Sequence, residues 1–170
     1  NPARGQPSAH PEDEIIEEIE AFGAIGGPVL HVAPGAEPWA PDERVWDAIT
    51  HRYPNTGTVN LVPRNKDPRG KSYAFRAVTR GDTSTILVDG TETKASIAWL
   101  IAHELCHQEL QQNPEKVAAL RAKRPAGLDP AGDQFHRVDP EERTCDDAAT
   151  RLFGDRLDRA WWRARVNARR

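Results

Sequence analysis

An apolar segment that runs directly into two histidines and a glutamate constrains this chain more than any other feature. Residues 95–102 are apolar except for one serine, and His103, Glu104 and His107 follow at once. A segment that is apolar on all sides predicts a buried helix, here over about residues 93–111. The histidines are four residues apart, so this helix carries both imidazoles on one face. Because unpaired polar groups are costly to bury, the three side chains need partners inside the protein.

The H-E-x-x-H spacing is typical of a zinc site in a hydrolase. Two imidazoles from one helix bind the ion, a third protein ligand completes the set, and one position stays open for water. Zinc lowers the pKa of that water to about 7, and a neighbouring glutamate takes its proton as the water attacks a carbonyl. We therefore expect His103 and His107 to bind one Zn²⁺ per chain, with Glu104 as general base. The alternative is two core histidines that bond to backbone groups.

The third ligand should come from later in the chain. In one class of zinc peptidases a third histidine follows the motif, but Leu110 and Asn113 stand at that pattern's glycine and histidine positions here, which excludes the class. The remaining candidates carry an imidazole or a carboxylate and are His136, Glu141, Glu142 and Asp146.

A segment that begins at Asp139 predicts a helix, over about residues 139–153, that carries this ligand. Glu142 and Asp146 are four residues apart, so Glu142 could bind the metal while Asp146 accepts a hydrogen bond from the far nitrogen of a bound histidine. With Asp139 as N-cap and Pro140 after it, Glu142 also stands at the glutamate position of a capping box, which needs no metal. We favour the ligand because the motif helix lacks its third partner.

His136 is the rival third ligand. It is also a candidate donor to the transition state, so we include it with Glu104 among the catalytic candidates, and an ordinary surface histidine is the remaining interpretation. Tyr53 and Tyr73 could donate to an oxyanion as well, but we expect each in the sheet or the core.

The order of elements along the chain predicts an α+β fold. Helices are expected over residues 11–22, 41–51, 114–123 and 155–170, besides the two already described, and a short strand over 29–33. Three further strands, over 58–62, 73–79 and 85–88, are short and joined by Gly- and Asp-containing turns, which favours a small and mostly antiparallel sheet.

Residues 85–153 resemble the glutamate zincins, and more narrowly the small ImmA/IrrE-type zincin peptidases. A strand leads into the H-E-x-x-H helix, and the later helix matches E-x-x-A-[ND]-x-x-A at Glu142, Cys145, Asp146 and Ala149, with Cys in place of Ala. The resemblance implies a compact zincin-like domain with His103, His107 and Glu142 as ligands. It also implies that the strand over 85–88 is the sheet edge beside the site, where an unstructured protein segment would bind in extended form.

Length and composition bound the remaining expectations. A chain of 170 residues suits one domain, which we place at 11–170 after a polar, flexible lead-in over 1–10. The net charge of −3 argues against nucleic acid as an obligatory partner, and no apolar run is long enough to span a membrane. The oligomeric state stays open.

Two further expectations concern the redox state of the cysteines and the cellular location of the protein. Cys106 and Cys145 could form one disulfide in an exported protein or remain buried thiols, and we favour thiols. No signal peptide is visible, which favours a cytoplasmic protein. The chain does not begin with Met and contains none, so the natural N-terminus could lie upstream, and secretion stays open as the alternative.

The expected function is hydrolysis of peptide bonds in a protein or peptide substrate by a zinc-activated water. Two other classes are compatible with the same residues. One is a metal-binding sensor or interaction domain without turnover, and the other is a zinc hydrolase of a non-peptide amide. Hydrolysis of a peptide library would separate the first alternative from the enzyme.

Overall fold

A computed structural model of the protein describes residues 27–64, 77–88, 92–130 and 133–153. These residues form an α+β fold with a four-stranded mixed sheet and five α-helices. The strands are β1 (Val29–Val32), β2 (Thr58–Pro63), β3 (Ala77–Arg80) and β4 (Thr83–Val88). The helices are α1 (Glu43–Arg52), α2 (Lys94–Gln111), α3 (Pro114–Ala122), α4 (Asp133–Val138) and α5 (Pro140–Phe153), and a 3-10 turn spans Glu37–Trp39.

Most predicted elements within these ranges are confirmed to within two residues. The sequence does not predict α4, because a helix of six residues is too short to show a periodic apolar pattern. The lead-in over 1–10, the predicted helices over 11–22 and 155–170, and Tyr73 with the first part of its predicted strand lie outside the described residues.

The sheet is not mostly antiparallel, so that prediction is wrong. Its strand order is β1-β2-β4-β3, and both β1 with β2 and β2 with β4 are parallel pairs. Only β3 and β4 run antiparallel, since they are joined by the short turn at Gly81, whose φ of +63° suits glycine. β3 lies between β2 and β4 in the sequence, so the parallel pair β2 and β4 is not formed by consecutive strands.

This strand order also places β4 inside the sheet. The prediction that residues 85–88 form the sheet edge is therefore wrong, because β4 pairs with β2 on one side and with β3 on the other. Within the described part of the chain, the edge on that side of the sheet is β3.

Helix α2 is the buried helix that its sequence predicts. Thr93 and Ser96 form a capping box at its start, and every residue from Ser96 to Gln108 is buried. One side of α2 packs on β3 and β4, and another packs on α5. A single cluster of buried side chains, with Ile49, Leu61 and Ile101 among its members, joins the sheet to these helices. No helix in the described ranges is long and apolar enough to cross a membrane.

Ion pairs from the α3 region anchor the start of α5. Arg121 Nε lies 2.9 Å from Glu141 Oε1, and Arg124 Nε lies 2.5 Å from Asp139 Oδ1. Both carboxylates are buried, so each needs its charged partner. These contacts hold the start of α5 against the α3 region.

Candidate metal centre

Helix α2 brings the two motif histidines together. His103 and His107 are both buried, and their Nε2 atoms lie 3.2 Å apart. Trp99, one turn before His103, stacks on that imidazole with ring centroids 5.4 Å apart. The indole is itself held by a bond from its Nε1 to Thr150 Oγ1 on α5. The imidazoles therefore have restricted orientations and present the same nitrogen to a common point.

Helix α5 brings Glu142 to that point. Glu142 Oε2 lies 2.9 Å from His103 Nε2 and 2.8 Å from His107 Nε2. The three residues form a group that could hold a metal ion. A tetrahedral zinc with bonds of about 2.0–2.1 Å separates its ligand atoms by roughly 3.3 Å. The observed separations of 2.8 to 3.2 Å are within a few tenths of an ångström of that value, so the donor set fits such an ion.

The Glu142 carboxylate does not serve as the second half of a capping box. Asp139 does cap α5, since its Oδ2 accepts from Glu142 N at 3.0 Å. The reciprocal donor, Asp139 N–H, is bonded to Phe135 O at 2.8 Å. The Glu142 side chain instead points to the histidines.

A second carboxylate stands behind each imidazole. Asp146 Oδ1 lies 2.8 Å from His103 Nδ1 and forms an ion pair with the imidazole when it is protonated. Glu141 Oε2 lies 3.0 Å from His107 Nδ1. Such outer carboxylates fix the tautomer and orientation of a metal-binding imidazole. The sequence predicts this role for Asp146, whereas the role of Glu141 emerges only from the packing of α5 on α2.

Charges around the site alter its protonation. Burial lowers the pKa of His107, but hydrogen bonds to Glu141 and Glu142 outweigh it and raise that pKa to about 9. The pKa of His103 is also raised, because Asp146 and Glu142 outweigh the effect of burial. The hydrogen bond from His107 lowers the pKa of Glu141 to about 2. Carboxylates thus favour positive charge at the imidazoles, and a bound cation would satisfy the same preference.

Glu104 lies beside the three ligand atoms. It is buried on α2, and its Oε1 accepts a hydrogen bond of 2.8 Å from Thr79 Oγ1 on β3. Its other oxygen, Oε2, lies 3.7 Å from His103 Nε2. Glu104 therefore directs one oxygen toward the sheet and the other toward the histidines.

His136 lies at the rim of the site. Its Nδ1 is 3.3 Å from Glu142 Oε1, and its side chain is 45 % exposed. It contacts the outer oxygen of Glu142, while the inner oxygen faces His103 and His107. Tyr53, in contrast, is a fully buried core residue at the end of α1, as expected.

A disulfide joins the two helices of the site, so the preference for free thiols is wrong. Cys106 and Cys145 are bonded to each other, with Cα atoms 5.4 Å apart. Cys106 precedes His107 and Cys145 precedes Asp146, so the cross-link lies directly beside the site. The sequence places each cysteine on its helix, but only the packing of α2 on α5 brings the sulfurs together.

Chemically, the centre combines three atoms that could bind a metal ion, an adjacent carboxylate and a half-exposed imidazole. The sequence did not predict that Thr79 belongs to the site, and no motif around Thr79 indicates it.

Comparison with known proteins gives no match: no family model, no curated protein and no solved structure is significantly similar to this chain.

Proposed function

We propose that this chain is a zinc-dependent metallopeptidase with a zincin-like arrangement of its site. The observation that carries the proposal is the convergence of His103, His107 and Glu142 within 3.2 Å of one another, with Glu104 beside them. Two imidazoles and one carboxylate are the ligand set of catalytic zinc in several peptidases, and they leave one coordination position open.

Zinc is the metal that the donors favour. The set is nitrogen-rich, buried and backed by outer carboxylates, whereas Mg²⁺ and Ca²⁺ prefer oxygen ligands. When bound, zinc would supply a Lewis acid that acidifies water and polarises a substrate carbonyl.

In the proposed hydrolysis, each residue of the site has a separate role. Glu104 takes a proton from the attacking water and passes it to the leaving amine. Asp146 and Glu141 keep the imidazoles of His103 and His107 in the ligand orientation. His136, half-exposed at the rim, donates to the oxygen that becomes negatively charged as the carbonyl is attacked.

The proposed substrate is an unstructured segment of a protein, bound extended. With β4 inside the sheet, the strand that would receive it is β3, which pairs only with β4 within the described residues. An extended peptide can bond to the free main-chain groups of an edge strand.

The test measures metal content and hydrolysis together. Zinc-loaded protein is assayed with a fluorescence-quenched peptide library and with unfolded casein. We expect about one zinc per chain in wild type, loss of zinc in His103→Ala and His107→Ala, and retention of zinc with a loss of hydrolysis by orders of magnitude in Glu104→Gln.

Glu109→Gln provides the matched control. Glu109 is on the same helix but half-exposed and paired with Arg52, so its substitution should change neither readout. Full zinc content in both histidine variants would overturn the metal site. Zinc binding without hydrolysis of any peptide would leave a metal-binding domain and refute the peptidase.

A further inference from the structure

A chain of hydrogen bonds links the carboxylate of Glu104 to the backbone before β2. It passes through Gln108 on α2, Ser84 on β4 and Thr79 on β3. Gln108 and Ser84 are buried, with 2 % and 0 % of their surface exposed, so their polar atoms have no access to bulk water. Buried polar groups of this kind must be satisfied by one another.

The orientation of the Gln108 amide is determined by its neighbours. Gly57 N–H can only donate, and it lies 2.7 Å from Gln108 Oε1. Thr58 O can only accept, and it lies 3.1 Å from Gln108 Nε2. The amide oxygen must therefore face Gly57. The second proton on Nε2 goes to Ser84 Oγ, at 2.8 Å.

The direction of the remaining bonds follows. A carboxylate and a backbone carbonyl only accept, so the hydroxyl of Thr79 donates to Glu104. The nearer acceptor is the carboxylate oxygen Oε1, at 2.8 Å, and the backbone oxygen of Glu104 lies 3.2 Å away. Ser84 Oγ and Thr79 Oγ1 are 2.7 Å apart, and since the Thr79 proton goes to Glu104, Ser84 donates to Thr79. From Gly57 N–H through Gln108, Ser84 and Thr79, each bond donates toward Glu104, an arrangement in which each bond strengthens the next, while the bond from Gln108 to Thr58 O is a side branch.

We propose that Thr79, supported by Ser84 and Gln108, is the positioning residue for the general base. By bonding to Oε1, Thr79 leaves Oε2 as the oxygen that faces the ligand atoms, 3.7 Å from His103 Nε2. A base whose reactive oxygen is already aimed needs no reorientation when the water loses its proton. This inference rests on the proposed function for its kinetic consequence, but the orientation of Glu104 can be tested without turnover.

The first test uses metal-free protein and no substrate. The side-chain carboxyl ¹³C resonance of Glu104, assigned by its loss in Glu104→Gln, is compared among variants. Thr79→Val keeps the shape of the side chain and removes the hydroxyl, so the resonance should shift or broaden. Thr79→Ser keeps the hydroxyl and should preserve it. An unchanged resonance in Thr79→Val would overturn the proposal.

The second test uses zinc-loaded protein and the peptide substrate. A hydrogen bond to a charged group is commonly worth a factor of about ten or more, so we expect kcat to fall at least tenfold in Thr79→Val, with KM and zinc content within about twofold of wild type. Thr79→Ser should recover most of kcat.

Thr85→Val is the matched control. Thr85 neighbours Ser84 on β4, so its side chain points to the opposite face of the sheet. It should match wild type in both tests. Equal loss of kcat in Thr79→Ser and Thr79→Val would refute the role of the hydroxyl. If wild type hydrolyses nothing, the proposed function fails, and the carboxyl resonance still decides whether Thr79 orients Glu104.

Discussion

Reduction of the Cys106–Cys145 disulfide should destabilise the protein by a predictable amount. The two cysteines are 39 residues apart in sequence, and the bond restricts that loop in the unfolded chain. In the chain-entropy model, closure of a loop of this length is worth about 4 kcal/mol at 25 °C. For a urea m-value of about 2 kcal/mol/M, the midpoint of unfolding should fall by roughly 2 M.

The assay is urea unfolding of metal-free protein, followed by tryptophan fluorescence, with and without a phosphine reductant that binds zinc weakly. The chain has five tryptophans, and one of them, Trp99, is buried on α2 and bonded to Thr150 on α5, so its share of the emission reports on the separation of these helices. The double variant Cys106→Ala/Cys145→Ala is the control for the reductant, because its midpoint should be low and should not respond to reduction.

A second consequence concerns the metal. The disulfide joins the helix that carries His107 to the helix that carries Glu142, so reduction should also weaken zinc retention against a competing chelator. The reasoning is refuted if oxidised protein, once denatured, still shows two titratable thiols, or if reduction leaves the midpoint unchanged.

Three further predictions concern the ligand cluster. Glu142→Gln should lower zinc affinity by more than the roughly 10–100-fold typical of an outer carboxylate, measured against a chromophoric chelator; normal affinity with a lower melting temperature would instead return Glu142 to helix capping. Glu141→Gln should lower affinity within that 10–100-fold range, because His107 loses the negatively charged acceptor at its Nδ1 and an amide oxygen is a weaker one. In the third, pH is the variable. Because the pKa of His107 is about 9 in the metal-free cluster and the pKa of His103 is raised as well, zinc must displace a proton from each protonated imidazole. From pH 7 toward 9, affinity should rise about tenfold per pH unit if one proton is displaced and about a hundredfold if two are. The raised pKa of His107 also means that its protonated form contributes to the stability of the metal-free protein. This contribution is complete below pH 6.5 and should be lost as pH rises through 9. Zinc-loaded protein, with neutral imidazoles as ligands, should not show that alkaline loss in urea titrations, and equal loss in both forms would contradict the assignment.

Local regularities made much of the site predictable. The H-E-x-x-H spacing is a property of one helix, so the juxtaposition of His103 and His107 followed from helical geometry alone. The same holds for Glu142 and Asp146 on α5. The apolar sequence around the motif also predicted correctly that α2 is buried, since a helix without a polar face has no side to turn to water.

Strand pairing was not predictable in the same way. The lengths and turns of β2, β3 and β4 favoured an antiparallel meander, but they contain no information on which strands become neighbours across the sheet. β3 lies between β2 and β4 in the sequence, so β2 and β4 are not consecutive strands and their pairing is a tertiary result. The edge strand was misplaced for the same reason.

The sequence by itself determined the chemistry available at the site: two imidazoles and a glutamate on one buried helix, and two carboxylates on a later one. The tertiary structure determined which side chains contact one another at the site. It brought Glu142 into contact with both histidines. It also placed Glu141 next to His107 Nδ1 and the Thr79 hydroxyl next to the Glu104 carboxylate. The physical reason is the separation of the contacting residues along the sequence. Helical periodicity relates residues a few positions apart, whereas each of these contacts joins residues 25 or more positions apart and depends on how whole elements pack.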